Sequence, residues 1–295
     1  MDMIGYIKKF GNDSFDDYPL NEIDSMILCQ LTYFDFSNTP VCNTDLNYTL
    51  KEFLNNDYQK TRVKGIWNPK KNDLFARVLK SARRYYSMHI GFYSSIIDKE
   101  TEKQFSACTF QLSSGLYYIC YRGTDASFVG WKEDFNLGYL ENIPSQIMAV
   151  TYFENFVRDY PGKYYIGGHS KGGNLAIYAG VMCKQDYQSE IITIFNHDGP
   201  GFLPDFYQKV EYGMIKEKIE KTAQNILNIR NNYPNSSLAD LYDPLTMPSD
   251  LFKAHKQNDA AVMEAYGFDW RKMSEDDCVA ELMKMYQELV NNKGE

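Results

Sequence analysis

Between Asn21 and Phe34 apolar residues return every three or four positions, at Ile23, Met26, Ile27, Leu31 and Phe34. That spacing predicts an amphipathic helix. Leu74, Phe75, Val78, Leu79 and Tyr86 make a second one-sided stripe, which predicts a helix over Asn72 to Ser87. The period then changes. Ile90 to Asp98, Gln104 to Leu112 and Leu116 to Tyr121 are rich in Tyr, Phe and Ile and are separated by turn residues, so they predict strands. Ser113-Ser114-Gly115 reads as the turn of a hairpin, and residues 144–160 as a helix closed by Pro161-Gly162.

Further on, strand and helix patterns alternate. Lys163 to Ile166 reads as a short buried strand and Leu175 to Cys183 as an apolar helix. Ile191 to Phe195 has the β-branched character of a strand covered on both faces. A helix near 212–222, a strand over Asn225 to Ile229 and helical composition over 248–291 complete the pattern. Strands alternating with helices predict an α/β fold with a parallel sheet and crossovers. The expectation is one α/β domain over 1–295, its central sheet mostly parallel and flanked by helices. Residues 20–90 would add a helical N-terminal cap region, and 245–291 a helical C-terminal region able to serve as a lid.

Chemistry enters at Tyr165-Ile166-Gly167-Gly168-His169-Ser170-Lys171-Gly172-Gly173-Asn174. Gly168-x-Ser170-x-Gly172 has the spacing of a nucleophile elbow, a sharp strand-to-helix turn that lifts a serine hydroxyl above the sheet edge. The residues two before and two after must be small, because neighbouring backbone presses close there. Five residues of this kind also occur in ordinary glycine-rich loops. Here an apolar strand precedes them and an Ala/Leu/Ile helix follows, which is the setting an elbow requires.

A serine hydroxyl needs a base to activate it and an acid to orient the base. The histidines are His89, His169, His197 and His255. Such an elbow belongs to the α/β-hydrolase fold, in which the chain order is Ser, acid, His; that leaves His197 and His255, and His255 is the candidate base. Asp198, in Asn196-His197-Asp198-Gly199-Pro200-Gly201 directly after the IITIF strand, is the candidate acid; Asp240 and Asp243 are alternatives. An Asp that merely stabilises this Gly-Pro-Gly turn would read the same way.

The developing oxyanion needs two donors. One is the amide after the nucleophile, that of Lys171; the other comes from the loop after an earlier strand, where Tyr121-Arg122-Gly123-Thr124-Asp125 offers Thr124. Tyr121 to Thr124, followed by Trp131 and Asp134, resembles the F-R-G-T … W … D segment of class 3, fungal-type lipases, and Gly168 to Gly173 resembles their G-H-S-x-G-G elbow. The chain is more similar still to a bacterial lipase-like α/β-hydrolase family, through N-E-x-D (Asn21 to Asp24), R-G-T-D, G-H-S-K-G-G-N-L-A and D-G-P-G-F (Asp198 to Phe202). The resemblance implies Ser170 as nucleophile and Thr124 with Lys171 as the oxyanion hole. Where members of that family carry a His-Asp pair this chain has His255-Lys256, and the later acid position of the fungal-type lipases reads Asn231-Asn232.

Composition narrows the field. With 39 acidic and 31 basic residues the formal charge is −8, which argues against a general nucleic-acid binder. The six cysteines show no CxxC spacing, so neither a zinc site nor a disulfide framework is expected, and no cofactor is implied. No signal peptide and no apolar run of membrane-spanning length is visible, so cytoplasmic residence is the default expectation. The sequence thus predicts a serine hydrolase of esterase or lipase type, acting on a small-molecule or lipid ester through an acyl-enzyme. The alternatives are a non-catalytic binding or regulatory protein on the same fold, and a thioesterase, amidase or acyltransferase with the same triad. The oligomeric state is left open.

Overall fold

The computed structural model describes residues 3–208, apart from Gly65, Trp67 and Ala126, together with Ile219–Glu220. All of these belong to one compact unit, Met1–Asn225. Among the described residues five α-helices precede the sheet: α1 (Met3–Phe10), α2 (Glu22–Leu31), the short α3 (Leu50–Glu52), α4 (Pro69–Leu79) and the single turn α5 (Arg83–Tyr86). Asn21 caps α2 by accepting from the amides of Ile23 and Asp24, while the Asp24 carboxylate accepts from the Asn21 amide. This reciprocal box fixes where the helix begins. Asp24 is also half of a fully buried ion pair with Arg84, at 2.6 Å, which ties α2 to α5. These are the roles of Asn21 and Asp24 in the N-E-x-D motif.

The sheet follows, with strands β1 (His89–Asp98), β2 (Lys103–Ser113), β3 (Leu116–Tyr121), β4 (Lys163–His169), β5 (Ile191–His197) and the two-residue β6 (Ile219–Glu220), adjacent in chain order. It is mixed rather than mostly parallel. β1, β2 and β3 pair antiparallel, and β3 to β6 pair parallel. The connections explain the difference. Only Ser114-Gly115 separates β2 from β3, with Gly115 at φ 69°, and a tight hairpin can join only antiparallel neighbours. Helices make the crossovers between the parallel strands: α6 (Phe128–Asn136) and α7 (Pro144–Asp159) between β3 and β4, α8 (Lys171–Met182) and the single turn α9 (Gln185–Gln188) between β4 and β5.

Alternation along β3 divides the core in two. Tyr118 and Cys120 point to the face covered by the N-terminal helices, where they join Ile27, Leu28, Leu31, Phe34 and Tyr85. Tyr117, Ile119 and Tyr121 point to the opposite face and pack with Phe153, Phe156, Leu175 and Ala176 of α7 and α8. Period-two side-chain direction thus buries a sheet on both faces. Residues 20–90, expected as a cap region, supply one of these covering layers.

Several expected elements end elsewhere. The helix over Asn72 to Ser87 is two helices, α4 and α5, and the helix over Asn21 to Phe34 stops at Leu31. Where a helix near 212–222 was expected, Ile219–Glu220 pairs with Ile194 and Phe195 of β5 as a strand. The strand over Asn225 to Ile229 and the helical stretch 248–291 lie outside the described residues.

Candidate active site

In-register pairing sets the site. Tyr121 of β3 lies beside Gly168 of β4, and His169 of β4 lies beside His197 of β5. The three parallel strands therefore end together, and the residues that follow them are Arg122 to Thr124, Ser170 and Asp198. This is the carboxyl edge, where open α/β sheets place their ligands.

Ser170 joins β4 to α8 at φ 56° and ψ −132°, a conformation rare for any residue but glycine. Its amide donates to the His197 carbonyl at 2.9 Å, and its carbonyl accepts from Gly173 N at 2.8 Å. The turn is closed so tightly that a Cβ on Gly168 would overlap the backbone of Gly172, and one on Gly172 would overlap the Tyr121 carbonyl. Serine at a helix N-cap ordinarily bonds the helix's first amides. Ser170 makes no such side-chain bond, and it is half-buried at the sheet edge. Lys171 opens the twelve-residue α8, so its amide is among those with no partner inside the helix.

The loop after β3 closes against this turn. A Cβ on Gly123 would stand 3.2 Å from Ser170 Cβ and 2.6 Å from the His169 carbonyl oxygen. Only glycine lets the two strand ends come this near, and it brings the next residue, Thr124, to the same edge. The Thr124 hydroxyl donates to both carboxylate oxygens of Asp134, at 2.7 and 2.6 Å. Burial pushes the Asp134 carboxyl up to about 6, against the lowering pull of Lys171 and of the Thr124 hydrogen bond. Arg122 pairs with Asp125 at 3.3 Å, so each side chain of the R-G-T-D motif braces the loop.

Asp198 follows β5 at φ 57° with its side chain exposed. The loop behind it is held from the elbow helix: Asn174 Nδ2 donates to the carbonyls of Pro200 and Gly201 at 3.1 and 3.2 Å, and Asn174 Oδ1 accepts from Gln146 Nε2 of α7 at 2.8 Å. The two motifs G-H-S-K-G-G-N and D-G-P-G-F are thus interlocked through Asn174.

Neither described elbow histidine is turned to Ser170 by these contacts. His169 Nδ1 lies 3.1 Å from the Tyr33 hydroxyl. His197 is buried, with Nε2 2.7 Å from Ser25 Oγ, and burial holds its imidazole down at about 4. The structure therefore brings together Ser170, Lys171, Thr124 and Asp198 at one edge. His255, Asp240 and Asp243 lie outside the described residues. Among the described residues no cluster of three or more His, Cys, Asp or Glu side chains is arranged to hold a metal ion, and no helix is long and apolar enough to cross a membrane.

Sequence reasoning missed three residues of this neighbourhood. Tyr33, just beyond α2, reaches the Gly123 turn and His169; only the fold brings a residue that far upstream to this edge. Ser25 is buried under β5 beside His197. Glu133 is wholly buried and takes the Lys171 ammonium at 2.8 Å; its one signal was its place beside Asp134.

A mixed α/β sheet flanked by helices, with a strained serine turn at its carboxyl edge, is the class these features define. The sequence model of the Mbeg1-like family matches residues 79–226, the sheet and the elbow included, and the chain belongs to that family. The model of the MmeI C-terminal domain matches residues 213–293. No curated protein matches. Among solved structures the chain is similar to M37 lipase, with 16% identity and a TM-score of 0.38, over 68% of this chain and 66% of that one. It is also similar to a fungal lipase–inhibitor complex, at 15% identity and a TM-score of 0.34, over 54% of this chain and 64% of that one. The Rhizomucor miehei lipase–propeptide complex gives 15% identity and a TM-score of 0.29 over 51% of each chain. The chain thus spans about two thirds or less of the length of these lipases.

Proposed function

We propose that this chain is a serine hydrolase of the α/β-hydrolase type that cleaves carboxylic esters through an acyl-enzyme on Ser170. One observation carries the reading: Ser170 sits in a strained left-handed turn at a helix N-terminus and does not use its hydroxyl to cap that helix. A serine with only a structural duty there would adopt relaxed backbone angles and bond the helix amides. Backbone strain at a sheet edge is the form expected where a nucleophile must be presented.

In this reading the Ser170 hydroxyl attacks the ester carbonyl and passes its proton to His255, with Asp198 orienting the imidazole. The amides of Lys171 and Thr124 carry the developing oxyanion. The proton returns to the leaving alcohol, and water, activated by the same base, releases the acid. His255 belongs to the C-terminal stretch 245–291, which lies outside the described residues.

The test is labelling by a fluorophosphonate probe and turnover of p-nitrophenyl esters of graded chain length. Wild type is expected to label and to cleave short or medium esters, and Ser170→Ala to fall to background in both. A wild type that neither labels nor turns over any ester overturns the reading and leaves a binding protein on this fold. Labelling with preference for thioesters or for an acceptor other than water would redirect the acyl-enzyme to thioesterase or acyltransferase chemistry.

A further inference from the structure

Lysine is an unexpected residue at position 171. It is the first residue of α8, where the positive end of the helix dipole disfavours a cation. It is also wholly buried, and moving an ammonium out of water is costly unless every donor is satisfied. All three are: Lys171 Nζ donates to the carbonyl and the side-chain oxygen of Gln104 and to Glu133 Oε2, each at 2.8 Å. Glu133 is equally committed. It also accepts from the amides of Gln104 and Ser145, each at 2.9 Å, and from the Ser145 hydroxyl at 2.8 Å.

Stability alone gives a poor account of this pair. Replacing a buried ion pair with well-packed apolar residues is often neutral or stabilising. Its position is more informative. Glu133 and Asp134 are neighbours on α6. Glu133 holds the side chain of Lys171, and Asp134 holds the side chain of Thr124. One turn of α6 therefore grips both residues to which the proposed function assigns the oxyanion-stabilising amides. The grip is dense and directional, which an apolar contact at the same place would not be.

We propose that Glu133 and Lys171 are a positioning pair which, with Asp134 on Thr124, sets the two oxyanion-stabilising amides from a single turn of α6. The inference rests on the reading of Ser170 as the nucleophile. Oxyanion donors act through placement that is complete before the reaction, so loosening one of the two anchors lowers the rate of the chemical step more than substrate binding.

The experiment removes both charges together, so that neither is left buried and unpaired. Glu133→Gln combined with Lys171→Met is purified as full chain, and its thermal midpoint, kcat, KM and fluorophosphonate labelling rate are measured on p-nitrophenyl butyrate beside wild type. The expected result is a folded protein whose kcat and labelling rate fall by about a hundredfold, the scale of losing one oxyanion donor, with KM within about twofold. Should the double variant not fold, Glu133→Asp decides: it keeps the charge pair but draws the carboxylate back by one carbon, and its kcat is expected to fall about tenfold at unchanged KM. A folded variant of either kind with wild-type kcat overturns the positioning role and leaves the hydrolase reading intact. A wild type that labels with no probe and cleaves no ester overturns both.

Discussion

His197 Nε2 lies 2.7 Å from Ser25 Oγ, whose other neighbour is the Tyr118 hydroxyl at 2.5 Å, and all three side chains are buried beneath the carboxyl edge of the sheet. This chain of polar groups braces the end of β5 against α2. His197 stays neutral there, because burial, reinforced by His169, holds its imidazole down at about 4.

The neutral imidazole makes stability fall with acid. The unfolded chain takes up a proton at His197 near the ordinary value of 6.5, and the fold does so only near 4. The contribution of His197 is thus intact above 6.5, declines as pH falls toward 4, and amounts to about 3 kcal/mol in all. Urea unfolding across that range, for wild type and for His197→Asn, is expected to show the extra acid sensitivity in wild type alone. Parallel curves would remove His197 as its source.

Asp24 anchors another buried network. Its carboxylate accepts from Arg84 at 2.6 and 2.8 Å and from the Tyr85 hydroxyl at 2.7 Å, with no side-chain exposure on either charged partner. Asp24→Asn leaves the guanidinium buried without its counter-charge and is expected to destabilise by about 3–5 kcal/mol. Chemical denaturation measures it, and a loss below about 1 kcal/mol would mean that water or another group takes over the pairing.

Gly168 in the elbow and Gly138 after α6 differ in what an added Cβ would meet. Gly168→Ala sets a Cβ into the Gly172 backbone and is expected to abolish both the fold of the turn and fluorophosphonate labelling. Gly138→Ala meets only the Phe135 carbonyl oxygen at 3.4 Å, ordinary contact, and is expected to change stability by less than about 1 kcal/mol. Soluble yield, thermal midpoint and labelling compare the two, and equal behaviour would contradict the close approach.

Thr124 offers a further check on the proposed oxyanion hole. Thr124→Val keeps the amide and the shape but loses the bonds from the hydroxyl to Asp134. The expected result is a fall in kcat of about tenfold or more with KM little changed, recovered in Thr124→Ser. An unchanged kcat in the valine variant would leave the hydroxyl with a purely structural duty.

The hairpin β2–β3, the strands around the elbow and α8 were legible because their signals are local. The aromatic and β-branched run Leu116 to Tyr121, Gly115 at the turn, and glycines flanking Ser170 each state their structure within a few residues. The antiparallel pairing of β1 with β2 was not anticipated, although the short connection over residues 99–102 requires it. α6 was missed because its residues are mixed in character, and Ser127, which caps it by accepting from the Gly130 amide at 3.1 Å, sits in an otherwise ordinary loop.

The sequence by itself determined the apolar runs that become strands buried on both faces, the capped start of α2 and the tight turn that presents Ser170, since composition, capping and steric room act between near neighbours. Tertiary structure alone decided what surrounds that serine. Tyr33, Ser25, Gln104 and Glu133 come from distant parts of the chain, and their partners exist only once strand register has aligned β3, β4 and β5. A buried carboxylate such as Glu133 looks in the sequence like any exposed acid, because its ammonium partner lies 38 residues away and is brought to 2.8 Å only by packing.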